Sequence, residues 1–460
     1  MKIFYIILLL FIQCVAYCSN SECECVYAFR VYLKDKGENG CSIDKPLKFL
    51  SADAIARREK QGIEITEADL PISPAYLDSL TRDGGKIMTS SKWFSTVVVQ
   101  AKDSAFASTL KEISIVDSVK FVWKGKPFNT PKPAKENDRY ELDESSIKAE
   151  YGYAEIQIKM LNGIRLHKAG FKGKGMKVAV IDAGFRNANR IEAFDKLNLL
   201  GTYNVHMPGE SVFIGDDHGT KVLSCLAANH KGIMIGTAPE ASYLLIKSED
   251  NRSEYPIEED YWTAAVEYAD SFGIDVISSS LGYFSYDNKE GYTHTDLDGN
   301  HAMISKAASL AASKGILLFT SAGNEGGGHW SKITFPADAK DILTVGSVTK
   351  RKERSLFSSV GFTADERIKP DVVAMGSHCC VIDANGEISY ANGTSFSTPI
   401  LAGLGVCLWQ AFPYLKYSDI IHLLQHSSSN FKNPTKEYGY GIPNVYKAYR
   451  YAKRHGSKFD

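Results

Sequence analysis

Four short segments of this chain hold the residue types that acyl transfer requires. Ile181-Asp182-Ala183-Gly184 offers a carboxylate and Asp217-His218-Gly219-Thr220 an imidazole. Ala322-Gly323-Asn324-Glu325 offers a side-chain amide, and Gly393-Thr394-Ser395-Phe396-Ser397-Thr398-Pro399 a hydroxyl. A serine hydroxyl is a weak nucleophile that needs a base, and the base needs an orienting partner. In that scheme His218 takes the Ser395 proton and Asp182 fixes the imidazole tautomer. Asn324 and the Ser395 backbone N–H stabilise the oxyanion. Each residue alone has an ordinary reading: Asp182 and Asn324 as turn residues, Ser395 as a helix N-cap. The combination, in the order Asp, His, Asn, Ser, is what points to chemistry.

The elements around these segments must bring them together. Val178–Asp182, Ser242–Ile246, Ile274–Ser278, Ile316–Ser321 and Ile342–Val348 read as short, continuously apolar strands. Helical patterns lie between them at 218–228, 257–272 and 302–314, with further helices expected at 398–412 and 418–426. That alternation predicts an α/β fold: a doubly wound, buried parallel sheet with helices on both faces. Ligand and catalytic groups in such sheets gather at the carboxyl ends of the strands. Upstream, residues 26–125 follow a β–α–β–α–β rhythm sufficient for a small separate α/β unit. Between the two lies Lys124-Gly-Lys-Pro-Phe-Asn-Thr-Pro-Lys-Pro-Ala-Lys135, an extended tether exposed to proteases.

The combined pattern resembles the subtilisin-like serine proteases over roughly 151–448. The chain order Asp182, His218, Ser395 is that family's order, and Asn324 matches its oxyanion asparagine. Ser280-Leu281-Gly282 matches the segment that pairs with an extended substrate as an added strand. The resemblance also implies that Ala322 and Gly323 bind substrate, and Phe335-Pro336-Ala337 falls where the family builds a wall of its primary pocket. The resemblance implies an endopeptidase made as a zymogen, with protein or peptide substrates and its own propeptide as intramolecular inhibitor. Residues 26–125 resemble such a propeptide in size and element order. The expected organisation is therefore a signal at 1–18, a propeptide-like unit at 19–125 and a linker with the maturation site at 126–150. A catalytic domain at 151–453 and a tail at 454–460 complete it. Ala183 stands where most members carry Ser or Thr. The family's basic-specific branch adds acidic residues around these motifs, and Ala183 is not one, so the expectation is apolar or broad cleavage. An unperturbed imidazole pKa near ~6.5 predicts activity falling below about pH 6–7.

Lys2 followed by the apolar run Ile3–Ile12 reads as an export signal, too short to span a membrane. The expected location is secreted, periplasmic or cell-envelope, with no transmembrane segment after signal removal. Tyr17 before Cys18 disfavours lipoprotein anchoring. The 460 residues carry 53 Lys plus Arg and 54 Asp plus Glu, a net charge of −1 that gives no overall bias toward nucleic acid. Of nine cysteines, Cys225, Cys379, Cys380 and Cys407 lie far downstream; a bridge from Cys225 to Cys379 or Cys380 is left open. No cofactor or metal site is assigned. Calcium is common in the family, but Asp216-Asp217 and Asp287-Asn288 fall short of a dense oxygen-ligand loop. Gly393-x-Ser395-x-Ser397 lacks the second glycine of a nucleophile elbow, which argues against an esterase. The competing expectation is a proteolytically silent binding or chaperone-like protein on the same fold.

Overall fold

The computed structural model describes residues 25–127, 139–143, 149–288 and 291–456. The expected signal, Cys14, Cys18, Cys23 and most of the expected linker lie outside them. Among the described residues no helix is long and apolar enough to cross a membrane.

Residues 26–125 build a four-stranded antiparallel sheet from β1 (Val26–Leu33), β2 (Lys86–Ser91), β3 (Thr96–Ala101) and β4 (Val116–Gly125). The order is β2-β3-β1-β4. Helices α1 (Ala52–Gln61), α2 (Pro74–Thr81) and α3 (Phe106–Glu112) accompany it. Strand alternation splits the side chains between two faces. Phe29, Val31, Val97 and Val99 pack with Leu80 of α2 and Leu110 of α3. Val26, Ala28, Val98 and Val122 point the other way, into a core shared with the larger unit. The rhythm read from sequence missed β2. As an edge strand with the sequence Lys-Ile-Met-Thr-Ser-Ser, it has no apolar run to announce it.

The larger sheet has seven parallel strands in the order β13-β12-β11-β10-β5-β9-β6. They are β5 (Lys177–Asp182), β6 (Asn198–Asn204), β9 (Ser242–Lys247), β10 (Val276–Ser279), β11 (Leu317–Ser321), β12 (Leu343–Val348) and β13 (Val372–Met375). Two small hairpins, β7 (Asn229–His230) with β8 (Met234–Ile235) and β14 (Cys379–Ile382) with β15 (Ile388–Ala391), lie outside it. Its helices are α4 (Glu155–Met160), α5 (Gly163–Lys168), α6 (His218–Ala227), α7 (Ile257–Phe272), α8 (Met303–Ser313), α9 (Thr394–Ala411), α10 (Tyr417–Ser427) and α11 (Val445–His455). Val178 and Val180 of β5 face the core containing α6, α9 and α10. Ala179 and Ile181 face α7 and α8. The doubly wound architecture is as expected. Helix α9 starts four residues earlier than the apolar pattern suggested, at Thr394, so Ser395 lies in its first turn.

The two sheets meet across α7 and α8. Arg57 of α1 donates to the carbonyls of Ile274 (2.7 Å) and Lys314 (3.1 Å) and pairs with Asp270. Arg58 bridges Asp69 (3.0 Å) and Asp270 (2.8 Å), and Arg30 of β1 pairs with Asp260 at 2.6 Å. The Glu267 carboxylate accepts the Lys92 and Trp93 backbone N–H groups at 2.9 and 3.1 Å, and the Ser91 hydroxyl.

Candidate active site

Asp182 closes β5, and its carboxylate is fully buried. Its Oδ1 lies 2.7 Å from His218 Nδ1 and accepts the Ala183 backbone N–H at 2.8 Å. Oδ2 has no hydrogen-bond partner among the described residues; the hydroxyl that Ser or Thr at position 183 would bring is absent. His218 opens α6, and its N–H donates to Asp216 Oδ1 at 2.6 Å, which fixes the first turn. Burial by itself would lower the His218 pKa. The Asp182 charge and hydrogen bond, reinforced by Glu249 and Asp216, overcome that and raise it to about 9. The expectation of an unperturbed base is corrected by these carboxylates.

Ser395 lies beyond β15 in the first turn of α9, 7% exposed. The first N–H groups of a helix lack intrahelical acceptors, so the Ser395 N–H is available to a developing oxyanion. The Ser395 hydroxyl donates to the Ser280 carbonyl at 3.4 Å, while Ser280 Oγ donates to the Ser395 carbonyl at 2.8 Å. His218 lies over the same turn, its ring centroid 5.8 Å from that of Phe396. Among the described residues no hydrogen bond joins the Ser395 hydroxyl to His218.

Asn324 follows β11 on an exposed loop. Its Oδ1 accepts from both the backbone N–H (2.9 Å) and hydroxyl (3.0 Å) of Thr394. The amide nitrogen donates to no group among the described residues. Thr394 Oγ1 also accepts the Gly323 N–H at 3.2 Å. Sequence reasoning missed this role of Thr394, although it sits inside the serine motif. Gly323 has φ +101°, and a Cβ there would come 2.8 Å from Thr334 Cγ2. Ala322 is fully buried and anchors the loop through hydrogen bonds with Val345 and Thr334. Leu281 is buried and Gly282 exposed just past β10, and a Cβ on Gly282 would lie 2.4 Å from Thr334 Oγ1. The strand-like path continues at Tyr283, which exchanges two backbone hydrogen bonds with Phe335.

All nine expected site residues therefore lie at the carboxyl ends of β5, β10 and β11 or in the first turns of α6 and α9. The four downstream cysteines are buried, and among the described residues no disulfide joins Cys225 to Cys379 or Cys380. Among the described residues no three His, Cys, Asp or Glu side chains converge as a metal would need. The two acidic pairs do not fit calcium. Asp216 is held by His218 and Asn251, Asp217 by Lys221 and Arg186, and Asp287 by Glu254.

Comparison with known proteins agrees with this arrangement. Residues 173–441, which include Asp182, His218, Asn324 and Ser395, match the subtilase family. Residues 28–140 match the peptidase S8 propeptide domain of Bacteroidota. Subtilisin NAT of Bacillus subtilis subsp. natto and subtilisin E of Bacillus subtilis (strain 168) are each 28% identical over 373 residues, 80% of this chain and 84% of theirs. The solved structure of the prenylagaramide maturation protease PagA shares the fold, with a TM-score of 0.51 and 22% identity, over 63% of this chain and 97% of its own. With the family match spanning more than half its length and a propeptide domain preceding it, this chain belongs to the subtilases and is a serine endopeptidase made as a zymogen.

Proposed function

We propose that Ser395, His218 and Asp182 are the catalytic triad of an exported endopeptidase that cleaves its own propeptide. The observation that carries this reading is the 2.7 Å contact between Asp182 Oδ1 and His218 Nδ1, facing the helix turn that presents Ser395. With Nδ1 donating to Asp182, Nε2 holds the lone pair that accepts the Ser395 proton. Rotation of the Ser395 side chain from the Ser280 carbonyl toward Nε2 arms the nucleophile. Attack on the scissile carbonyl forms a tetrahedral oxyanion, to which the Ser395 N–H and the Asn324 amide donate hydrogen bonds. His218 then protonates the leaving amine, and water hydrolyses the acyl-enzyme by the same route. Ser280, Leu281 and Gly282, with Ala322 and Gly323 opposite, form the walls along which the substrate main chain pairs.

The domain division is part of the proposal: signal 1–18, propeptide 19–125, linker 126–150 with the maturation site, catalytic domain 151–453 and tail 454–460. The α7 and α8 docking surface supports an inhibitory role for the propeptide. Secretion or release to the cell envelope is the location that fits a zymogen with this leader. A fluorophosphonate probe tests the reading. Matured protein becomes labelled, Ser395→Ala does not, and the variant stays at ~48 kDa instead of converting to ~33 kDa, masses set by the segment lengths. Absence of labelling in matured wild type, or conversion of the purified variant, overturns it.

A further inference from the structure

A cavity of about 340 Å³ opens beside the triad, lined in part by Asp216, Asp217, Lys247, Glu249, Asp250 and Arg252. Most of these charges are matched. Arg252 grips Asp250 through two hydrogen bonds of 2.7 and 2.8 Å, Lys221 and Arg186 hold Asp217, and Asp216 takes the His218 N–H and the Asn251 amide. Glu249 differs. It accepts a hydrogen bond from a neutral group, the Tyr283 hydroxyl at 2.7 Å, and no cation lies within 4 Å of it among the described residues.

Its position matters because of the strand register. Asp182 pairs with Lys247 across β5 and β9, and the Ser248 N–H donates to the Asp182 carbonyl, so Glu249 lies just past the triad carboxylate. Tyr283 ties it to the far side of the cleft, since its main chain continues from Ser280–Gly282. The Glu249 carboxylate therefore lies between the end of β9 and the segment that continues from Ser280–Gly282.

The chain itself shows which part of a substrate meets this charge. The Trp123 indole donates to Ser253 at 3.1 Å, and Phe121 packs edge-on to Tyr255 at 6.4 Å. The residues leading into the linker thus pass over Ser253 and Tyr255, a few residues beyond Glu249 on the same segment. They come before the proposed maturation site, so this side takes residues N-terminal to the scissile bond. The stretch 124–135 carries four lysines and no acidic residue. The primary sequence around Asp182 lacks an extra acid, but the fold supplies one from β9.

On the basis of the protease reading above, we propose that Glu249 makes this enzyme select a lysine or arginine side chain within the four substrate residues N-terminal to the scissile bond. Attraction of the Glu249 carboxylate, which no side-chain cation contacts directly among the described residues, for a substrate cation in a half-buried cleft supports about tenfold discrimination.

The test is cleavage profiling of a peptide library with matured enzyme at pH 8.5, where Glu249, raised by burial to about 7, is ionised. Wild type is expected to enrich Lys or Arg at one of those positions. In Glu249→Gln the ratio of kcat/KM for basic over apolar peptides falls about tenfold, and in Glu249→Arg the preference turns toward Asp or Glu. Taking the ratio cancels any general effect of Glu249 on His218. Fluorophosphonate labelling of each variant verifies that its site is intact. Should both variants lose labelling, the wild-type profile decides, together with the preference of the milder Glu249→Asp. Labelled wild type without basic enrichment overturns the proposal, as does enrichment undiminished in a labelled variant. Wild type that neither labels nor cleaves overturns the protease reading instead.

Discussion

Ser395 and Ser280 hold each other reciprocally: each donates its hydroxyl to the other's carbonyl, at 3.4 Å from Ser395 and 2.8 Å from Ser280. The turn that bears the proposed nucleophile is thus tied to the end of β10, and the longer bond is the one that must break for Ser395 to reach His218. The shorter bond positions the turn without touching the reacting atoms. Ser280→Ala removes that shorter bond and keeps the carbonyl. A buried neutral hydrogen bond is worth about 1 kcal/mol, so kcat is expected to fall several-fold with KM nearly unchanged. Steady-state kinetics on a peptide substrate checks this; a change confined to KM contradicts it.

The pH profile follows from the carboxylates around His218. Its pKa is raised to about 9, so the imidazolium persists above neutrality and cannot accept the Ser395 proton. The rate constant kcat/KM should therefore fall as pH falls through a midpoint above 6.5, toward about 9. Glu249 and Asp216 contribute to that elevation, and Asp216→Asn should move the midpoint down. A wild-type midpoint at or below 6.5 contradicts the geometry.

Much of this site was legible because its members lie in short motifs at strand ends. Apolar runs announced β5, β9, β10, β11 and β12 within about two residues, and α7 at 257–272 was read without error. What stayed hidden depended on contacts between distant segments. Glu249 looks like an ordinary loop acid until the β5–β9 register places it beside Asp182. Arg57 and Arg58 read as exposed positions on a polar helix, yet both are buried against Asp270, more than 200 residues away. Strands β2 and β6 sit at sheet edges and have mixed sequences, while β13 at the other edge of the large sheet is an apolar run of only four residues, too short to stand out.

The propeptide interface leads to a third prediction. Arg57 donates to two carbonyls near the ends of α7 and α8 and pairs with Asp270, all away from water. Arg57→Ala leaves those acceptors buried and half-matched, and breaking a buried ion pair costs about 3–5 kcal/mol. In full-length protein nicked in the linker, the propeptide should leave at least ~100-fold faster than from wild type. Size-exclusion chromatography over time measures this, and equal release rates contradict it.

Thr394 governs Asn324. Its hydroxyl and N–H both donate to Asn324 Oδ1, and the same hydroxyl accepts from the Gly323 N–H. The oxyanion forms only during reaction, so under the proposed role of Asn324 a misaimed amide weakens the transition state and spares ground-state binding. Thr394→Val preserves shape and removes the hydroxyl. The backbone N–H still holds Asn324, so the loss should be smaller than the ~10²–10³ that deletion of an oxyanion donor costs. We expect kcat to drop about tenfold at constant KM, with Thr394→Ser restoring the rate. Asn324→Ala should lower kcat more, and Thr394→Val added to it should then cost little, because the amide that Thr394 aims is gone. A full tenfold loss on top of Asn324→Ala would show that Thr394 acts elsewhere.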